Sequence, residues 1–242
     1  MNLPSNGIHW YLGFPLMVFI SIRGLYLYSK GKSTLDLYFG LVGVFFSLCF
    51  LSYGLPPLIT DNSTVLTYST ILADTLQFVA LFFVWLAAFR LVLPKNNSLG
   101  IIFIILDLLL ITLGIYFSVT DNLSFPVTLT QTANSLPTIN YQASIGYQLV
   151  TAIQYLGLIL VSIAFFRRLP AIKSKGQKIR LASIAVVLLL IGCLYALQPL
   201  LSKPILGVSR ASFIAPTLAI ASLFIIFVPL AFGAKKEKIT KK

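Results

Sequence analysis

Two carboxylates stand inside long apolar runs. Asp74 lies in the run 71–92, and Asp107 lies near the middle of 99–119, LGIIFIILDLLLITLGIYFSV. A charged side chain at mid-bilayer costs about 2.5–3.5 kcal/mol on insertion scales, so such a group usually faces a cavity, a partner or an ion path. Asp74 has company. Thr67, Thr70, Asp74 and Gln77 are spaced 3, 4, 3, which puts them on one helical face. Gln148, Thr151 and Tyr155 repeat the 3, 4 spacing, as do Tyr195, Gln198 and Ser202. The candidate ligand or ion-coupling residues are therefore Thr70, Asp74, Gln77, Asp107, Gln148, Thr151, Tyr155, Tyr195 and Gln198. The first two faces begin their segments and the third ends its segment, all on the outer side, which predicts a polar pocket open to the exterior with Asp74 toward its floor. The same residues could instead serve as polar contacts that hold helices together.

Catalysis finds little to work with. The chain has a single histidine, His9, beside Trp10 and Tyr11, and lacks paired-carboxylate, phosphate-loop and metal-ligand motifs. Acid–base chemistry usually needs a second partner within reach. Cys49 and Cys193 sit in apolar runs, where a free cysteine behaves as a small hydrophobe. We expect no enzyme, no metal and no cofactor.

The elements that must position these residues are written in the composition. Of 242 residues, 58% are hydrophobic and only 10% charged, against about 25% charged in an ordinary soluble domain. Mean hydropathy is +0.94. About 20 apolar residues cross the hydrocarbon core as a helix, and seven such segments fit, at about 8–28, 37–57, 71–92, 99–119, 147–166, 181–201 and 212–232. The expected fold is all-α and integral to the membrane, one multi-pass domain over 1–242. Residues 1–7 have no positive stretch, so the first segment is expected to be a helix that stays rather than a cleaved signal.

The net charge of +12 is a matter of topology. Lys30 and Lys32, Arg90 and Lys95, then Arg167, Arg168, Lys173, Lys175, Lys178 and Arg180, and finally Lys235 to Lys242 all follow odd-numbered segments. Basic loops stay cytoplasmic, so the N-terminus is expected outside and the C-terminus in the cytoplasm of a cell-membrane protein. No nucleic acid is expected. The basic loop Arg167–Arg180 is a candidate contact for anionic lipid headgroups or for a cytoplasmic partner. The longest loop, Thr120 to Ser144, is rich in Ser, Thr, Asn and Pro and holds no Lys or Arg. A loop of that length suggests a lid, a binding loop or disorder.

The outer segments look alike. Tyr11-Leu12-Gly13 and Arg23 match Tyr155-Leu156-Gly157 and Arg167 at 155 − 11 = 144. Tyr53, Leu55 and Pro57 match Tyr195, Leu197 and Pro199 at 195 − 53 = 142, and Ala73, Thr75 and Leu76 match Ala215, Thr217 and Leu218 at the same offset. This reads as two parallel three-helix repeats, 8–92 and 147–232, joined by the unpaired helix 99–119. The 3+1+3 plan, with Tyr53-Gly54 closing the second segment, resembles the SWEET-type sugar transporters and, more distantly, the microbial opsins. Three features depart from that resemblance: Pro15 is matched by Ile159, no Pro-Gln motif stands at the inner end of the first or fifth segment, and Ser212–Phe232 lacks the lysine that an opsin needs for retinal. The resemblance implies a small-solute transporter. The alternative is a heptahelical sensor or receptor that signals through a cytoplasmic partner, and either could assemble as a homo-oligomer.

Overall fold

The computed structural model describes residues 8–92, 98–130, 138–140, 143–173 and 175–201. The expected seventh segment and the C-terminal lysines lie outside the described residues, as do the side chains of Lys175, Arg180 and Gln198. In chain order the elements are α1 (Ile8–Gly31), α2 (Thr34–Gly54), the short α3 (Pro56–Ile59), α4 (Ser63–Val92) and α5 (Ser98–Ser124). There follow strands β1 (Thr128–Thr130) and β2 (Thr138–Asn140), α6 (Ile145–Arg168), a 3₁₀ turn at Leu169–Ala171, and α7 (Lys175–Leu201). Among the described residues four stretches are long and apolar enough to cross a membrane: Thr34–Ile59, Ser63–Val92, Gly100–Ser124 and Ile145–Ala171. The protein is thus a helical bundle compatible with the membrane.

Helix ends follow local chemistry. α1 stops where Lys32 turns left-handed at φ 51°, its N–H still bonded to the Tyr28 carbonyl at 2.7 Å. Asn62 Oδ1 accepts from the Thr64 N–H at 2.9 Å, and Ser144 Oγ accepts from the Tyr147 N–H at 3.2 Å, satisfying N–H groups that have no partner inside α4 and α6. α4 starts at Ser63, eight residues before the apolar run 71–92. Hydropathy marks the part of a helix that suits lipid, whereas the polar start of α4 is held by the hairpin described below, which bonds the side chains of Ser63 and Thr67.

The centre of the bundle is α4. Phe46 of α2, Ala80, Leu81, Val84 and Ala88 of α4, and Tyr155, Leu158 and Val161 of α6 form the largest buried cluster. α1 reaches the bundle through α2 by way of small residues. A Cβ on Gly24 would come within 2.6 Å of the Gly40 Cα, and one on Gly43 within 2.5 Å of the Ser21 nitrogen. Lipid tails are as apolar as any side chain, so helices in a membrane gain by close backbone approach rather than by burial from water.

α5 is peripheral. Its buried residues are Asp107, Ile111, Gly114, Ser118 and Asn122, spaced 4, 3, 4, 4, a single stripe along one face. Ile102, Ile105, Leu109, Leu113 and Tyr116 on the remaining faces are exposed.

The long polar loop is partly folded. α5 runs on to Ser124, and Thr128–Thr130 pairs antiparallel with Thr138–Asn140, Leu129 facing Ile139. The root of this hairpin is fastened to the first turns of α4. The Val127 carbonyl accepts from Ser63 Oγ at 2.8 Å, and the Val127 N–H donates to Thr67 Oγ1 at 3.1 Å.

Candidate functional site

Asp74 is the meeting point of four helices. It is 1% exposed, and 11 residues of α4 separate it from Ser63, about 16 Å from the hairpin end. Its Oδ1 accepts from the Tyr53 hydroxyl of α2 and from the Tyr147 hydroxyl of α6, the latter at 2.7 Å. Its Oδ2 accepts from Ser118 Oγ of α5 at 2.5 Å. Asn122, one turn further along α5, donates to the Ser118 carbonyl at 2.8 Å and to Ser118 Oγ at 3.3 Å. Three hydroxyls from three different helices therefore converge on one carboxylate. Hydrogen bonds to an ionised group are among the stronger ones a protein makes.

The apolar walls fix this geometry. Phe78 is fully buried one turn below Asp74, and its ring lies edge-on to Tyr147 with centroids 5.8 Å apart. A Cβ on Gly114 would come within 2.4 Å of the Phe78 ring, so only glycine leaves room for it. On the hairpin side, Cys49, Tyr53, Leu66, Ala73 and Val127 pack together. Val127 is fully buried, and with its two bonds to α4 it roofs the cluster. Asp74 is closed off in this conformation.

Asp107 lies at a second level. It is 3% exposed, and its Oδ1 accepts from Nε2 of the fully buried Gln154 on α6 at 2.7 Å. The Gln154 carbonyl in turn accepts from the Trp85 Nε1 of α4 at 3.1 Å. Gly157, one turn on, leaves room for that indole: a Cβ there would stand 3.0 Å from Nε1.

The remaining candidates are spread around these two groups. Thr70 is buried, and its hydroxyl donates to its own helix at the Leu66 carbonyl, 2.9 Å away. Gln77 is half-buried on α4. Gln148 donates to the Ala143 carbonyl at 3.0 Å and so ties down the start of α6. Thr151 is buried on α6 between the levels of the two carboxylates. Tyr155 stacks on Tyr195 of α7, with centroids 4.4 Å apart and planes 12° from parallel. At the basic end, Arg167, Arg168, Lys173 and Lys178 are exposed, and so are Arg23 and Arg90.

The 3, 4, 3 spacing on α4 located Asp74 but none of its partners. Tyr53, Ser118 and Tyr147 each come from another helix, and Gln154, the partner of Asp107, lies on a face of α6 that the spacing did not pick out. A usable signal was present on α6, where Tyr147, Thr151, Gln154 and Leu158 run at 4, 3, 4 and are all buried. Among the described residues no group of three His, Cys, Asp or Glu side chains gathers to hold a transition metal. No protein-family model matches the chain, and no curated protein matches it.

Proposed function

We propose that the protein is a small-solute transporter of a cell membrane, with the Asp74 cluster as its ligand or coupling site. The observation that carries this reading is the closed, four-helix geometry at Asp74. Tyr53, Ser118 and Tyr147 each hold a separate helix to one carboxylate, and Val127 covers them. A solute that competes for those hydroxyls, or a proton that takes the charge from Asp74, loosens α2, α5 and α6 together. That is the event an alternating-access cycle requires. In this reading the hairpin end faces the exterior and the basic end the cytoplasm, as the loop charges favour.

The seven-helix plan with two parallel repeats belongs to the same proposal. Its support is the register of helix contacts. Gly43 of α2 meets Ser21 and the Met17 carbonyl of α1. Its counterpart at 43 + 142 = 185 is Ala185 of α7, whose carbonyl accepts from Ser162 Oγ of α6 at 2.6 Å. Subtracting the first-helix offset, 162 − 144 = 18, so the two crossings fall within a turn of one another. Gly40 and Gly43 are matched by Ala182 and Ala185, again small residues three apart.

Proteoliposomes loaded with the purified chain test the reading, with sugars, amino acids and small organic ions supplied in turn and a proton gradient imposed in either direction. Uptake of one class that D74N abolishes supports it. Absence of uptake under every gradient, with the chain folded and inserted, overturns it. The sensor reading draws on one separate observation, the exposed Arg167, Arg168, Lys173 and Lys178 at one end of the bundle. It requires a partner to be captured there and to be lost when these residues become alanine.

A further inference from the structure

The seam between α5 and α6 carries a second polar group that the Asp74 cluster does not use. The two helices run antiparallel, so the buried faces pair in order: Ser118 with Tyr147 through Asp74 at one level, and Asp107 with Gln154 at the other. Ser118 and Asp107 are 11 residues apart, about 16 Å along the axis. Phe78, seated against Gly114 and fully buried, separates the two levels.

At the lower level three buried polar atoms are left unpaired. Asp107 Oδ2, Gln154 Oε1 and Thr151 Oγ1 are all buried, and none of the three has a hydrogen-bond partner. The residues are 3%, 0% and 8% exposed. Bare oxygens in apolar surroundings are costly, and a carboxylate among them needs a compensating charge. The ionisable side chains on the packed elements do not supply one. On α4 these are Tyr68, Asp74 and Arg90, and on α6 they are Tyr147, Tyr155, Arg167 and Arg168. On α5 itself they are Tyr116 and Asp121. The three arginines are exposed at the basic end, and Asp74 is taken up by its own hydroxyls.

We propose that Asp107, Gln154 and Thr151 form a binding site for one small monovalent cation, held by Asp107 Oδ2, Gln154 Oε1 and Thr151 Oγ1. Three hard oxygens with a single negative charge among them match one positive charge rather than two. A sodium ion and a proton share this chemistry. Sodium takes all three oxygens as ligands. A proton sits on Asp107 Oδ2 and donates to Gln154 Oε1, while the amide N–H continues to donate to Oδ1. In a transporter this is the coupling-ion site, and that purpose rests on the reading above; the binding itself does not.

Thermal unfolding of the full chain in detergent micelles tests it at equilibrium and without transport. Sodium chloride is exchanged for choline chloride at constant ionic strength, and the titration is repeated from pH 5 to pH 9. For sodium, the expected result is a midpoint that rises saturably by several degrees in the wild type, stays flat in D107N and moves less in T151V. For a proton, sodium has no effect, and the midpoint rises as pH falls in the wild type but not in D107N. D107N keeps the shape of the side chain, and T151V keeps that of threonine, so both variants are expected to fold. The proposal is overturned if wild type and D107N respond alike to sodium and to pH, or if neither responds to either. Failure of uptake in proteoliposomes with a sodium or pH response intact would reject the transporter and keep the site.

Discussion

The two buried carboxylates lie at two levels of the bundle and are treated in opposite ways. Asp74 is saturated, with hydroxyls from α2, α5 and α6 on both of its oxygens. Asp107 is starved, with one amide donor and a second oxygen that nothing reaches. A saturated carboxylate fastens helices together. A starved one leaves a place to be filled. The difference teaches that burial alone does not say what an intramembrane aspartate is for; the count of donors around it does.

The comparison breaks most visibly in the alanine variants. Asp74→Ala leaves three hydroxyls without their acceptor, and at roughly 1 kcal/mol or more per hydrogen bond in a membrane it should cost on the order of 3 kcal/mol. Asp107→Ala removes one hydrogen bond and one uncompensated carboxylate, so it should cost about 1 kcal/mol or less. Chemical unfolding of both variants in the same micelles checks the ratio; equal losses would end the distinction.

Gly114→Ala attacks the partition between the two levels. The new methyl meets the Phe78 ring, and overpacking of this kind costs about 1–3 kcal/mol. Phe78→Leu combined with Gly114→Ala should recover part of that loss, since the smaller side chain vacates the contact. A double-mutant cycle on unfolding midpoints reads the recovery.

A smaller effect is expected from the roof. Thr67→Val removes the acceptor of the Val127 N–H and should cost about 1 kcal/mol. Hydrogen exchange should then rise in the segment 125–130 while the backbone around Gln154 stays protected. Least of all, Asp107→Asn keeps an acceptor for the Gln154 amide and gains a donor for Gln154 Oε1, so its stability in choline should match the wild type to within about 0.5 kcal/mol.

Much of the fold was legible because lipid imposes a simple rule: apolar runs of sufficient length marked α1, α2, α4, α5, α6 and α7 to within a few residues at most ends. The larger misses are the start of α7 at Lys175, the end of α5 at Ser124 and the start of α4, where Ser63, Thr67 and Thr70 look like loop until the hairpin is seen to bind two of them. The hairpin itself left a trace, since Thr128-Leu129-Thr130 and Thr138-Ile139-Asn140 alternate polar and apolar residues. Asp74 and Asp107 were conspicuous as lone charges. Their partners were not. Tyr53, Ser118, Tyr147 and Gln154 are ordinary residues in their own helices, and only the packing of α2, α5 and α6 around α4 brings the first three to Asp74 and the last to Asp107. Gln148 and Tyr155 matched the pattern equally well, yet the first secures a helix start and the second stacks on Tyr195.

The narrow stripe that attaches α5 has a consequence for the lipid around it. A helix with most of its surface in the bilayer responds to membrane thickness by tilting, at a cost of fractions of a kcal/mol per ångström of mismatch. α5 is pinned against tilting at Ser118 and again at Asp107, about 16 Å apart. A thinner or thicker membrane therefore pulls on these two contacts through a lever, slackening one as it tightens the other. In a bilayer, lipid chain length would become an input to both carboxylates, delivered by a helix whose outer surface is apolar and exposed.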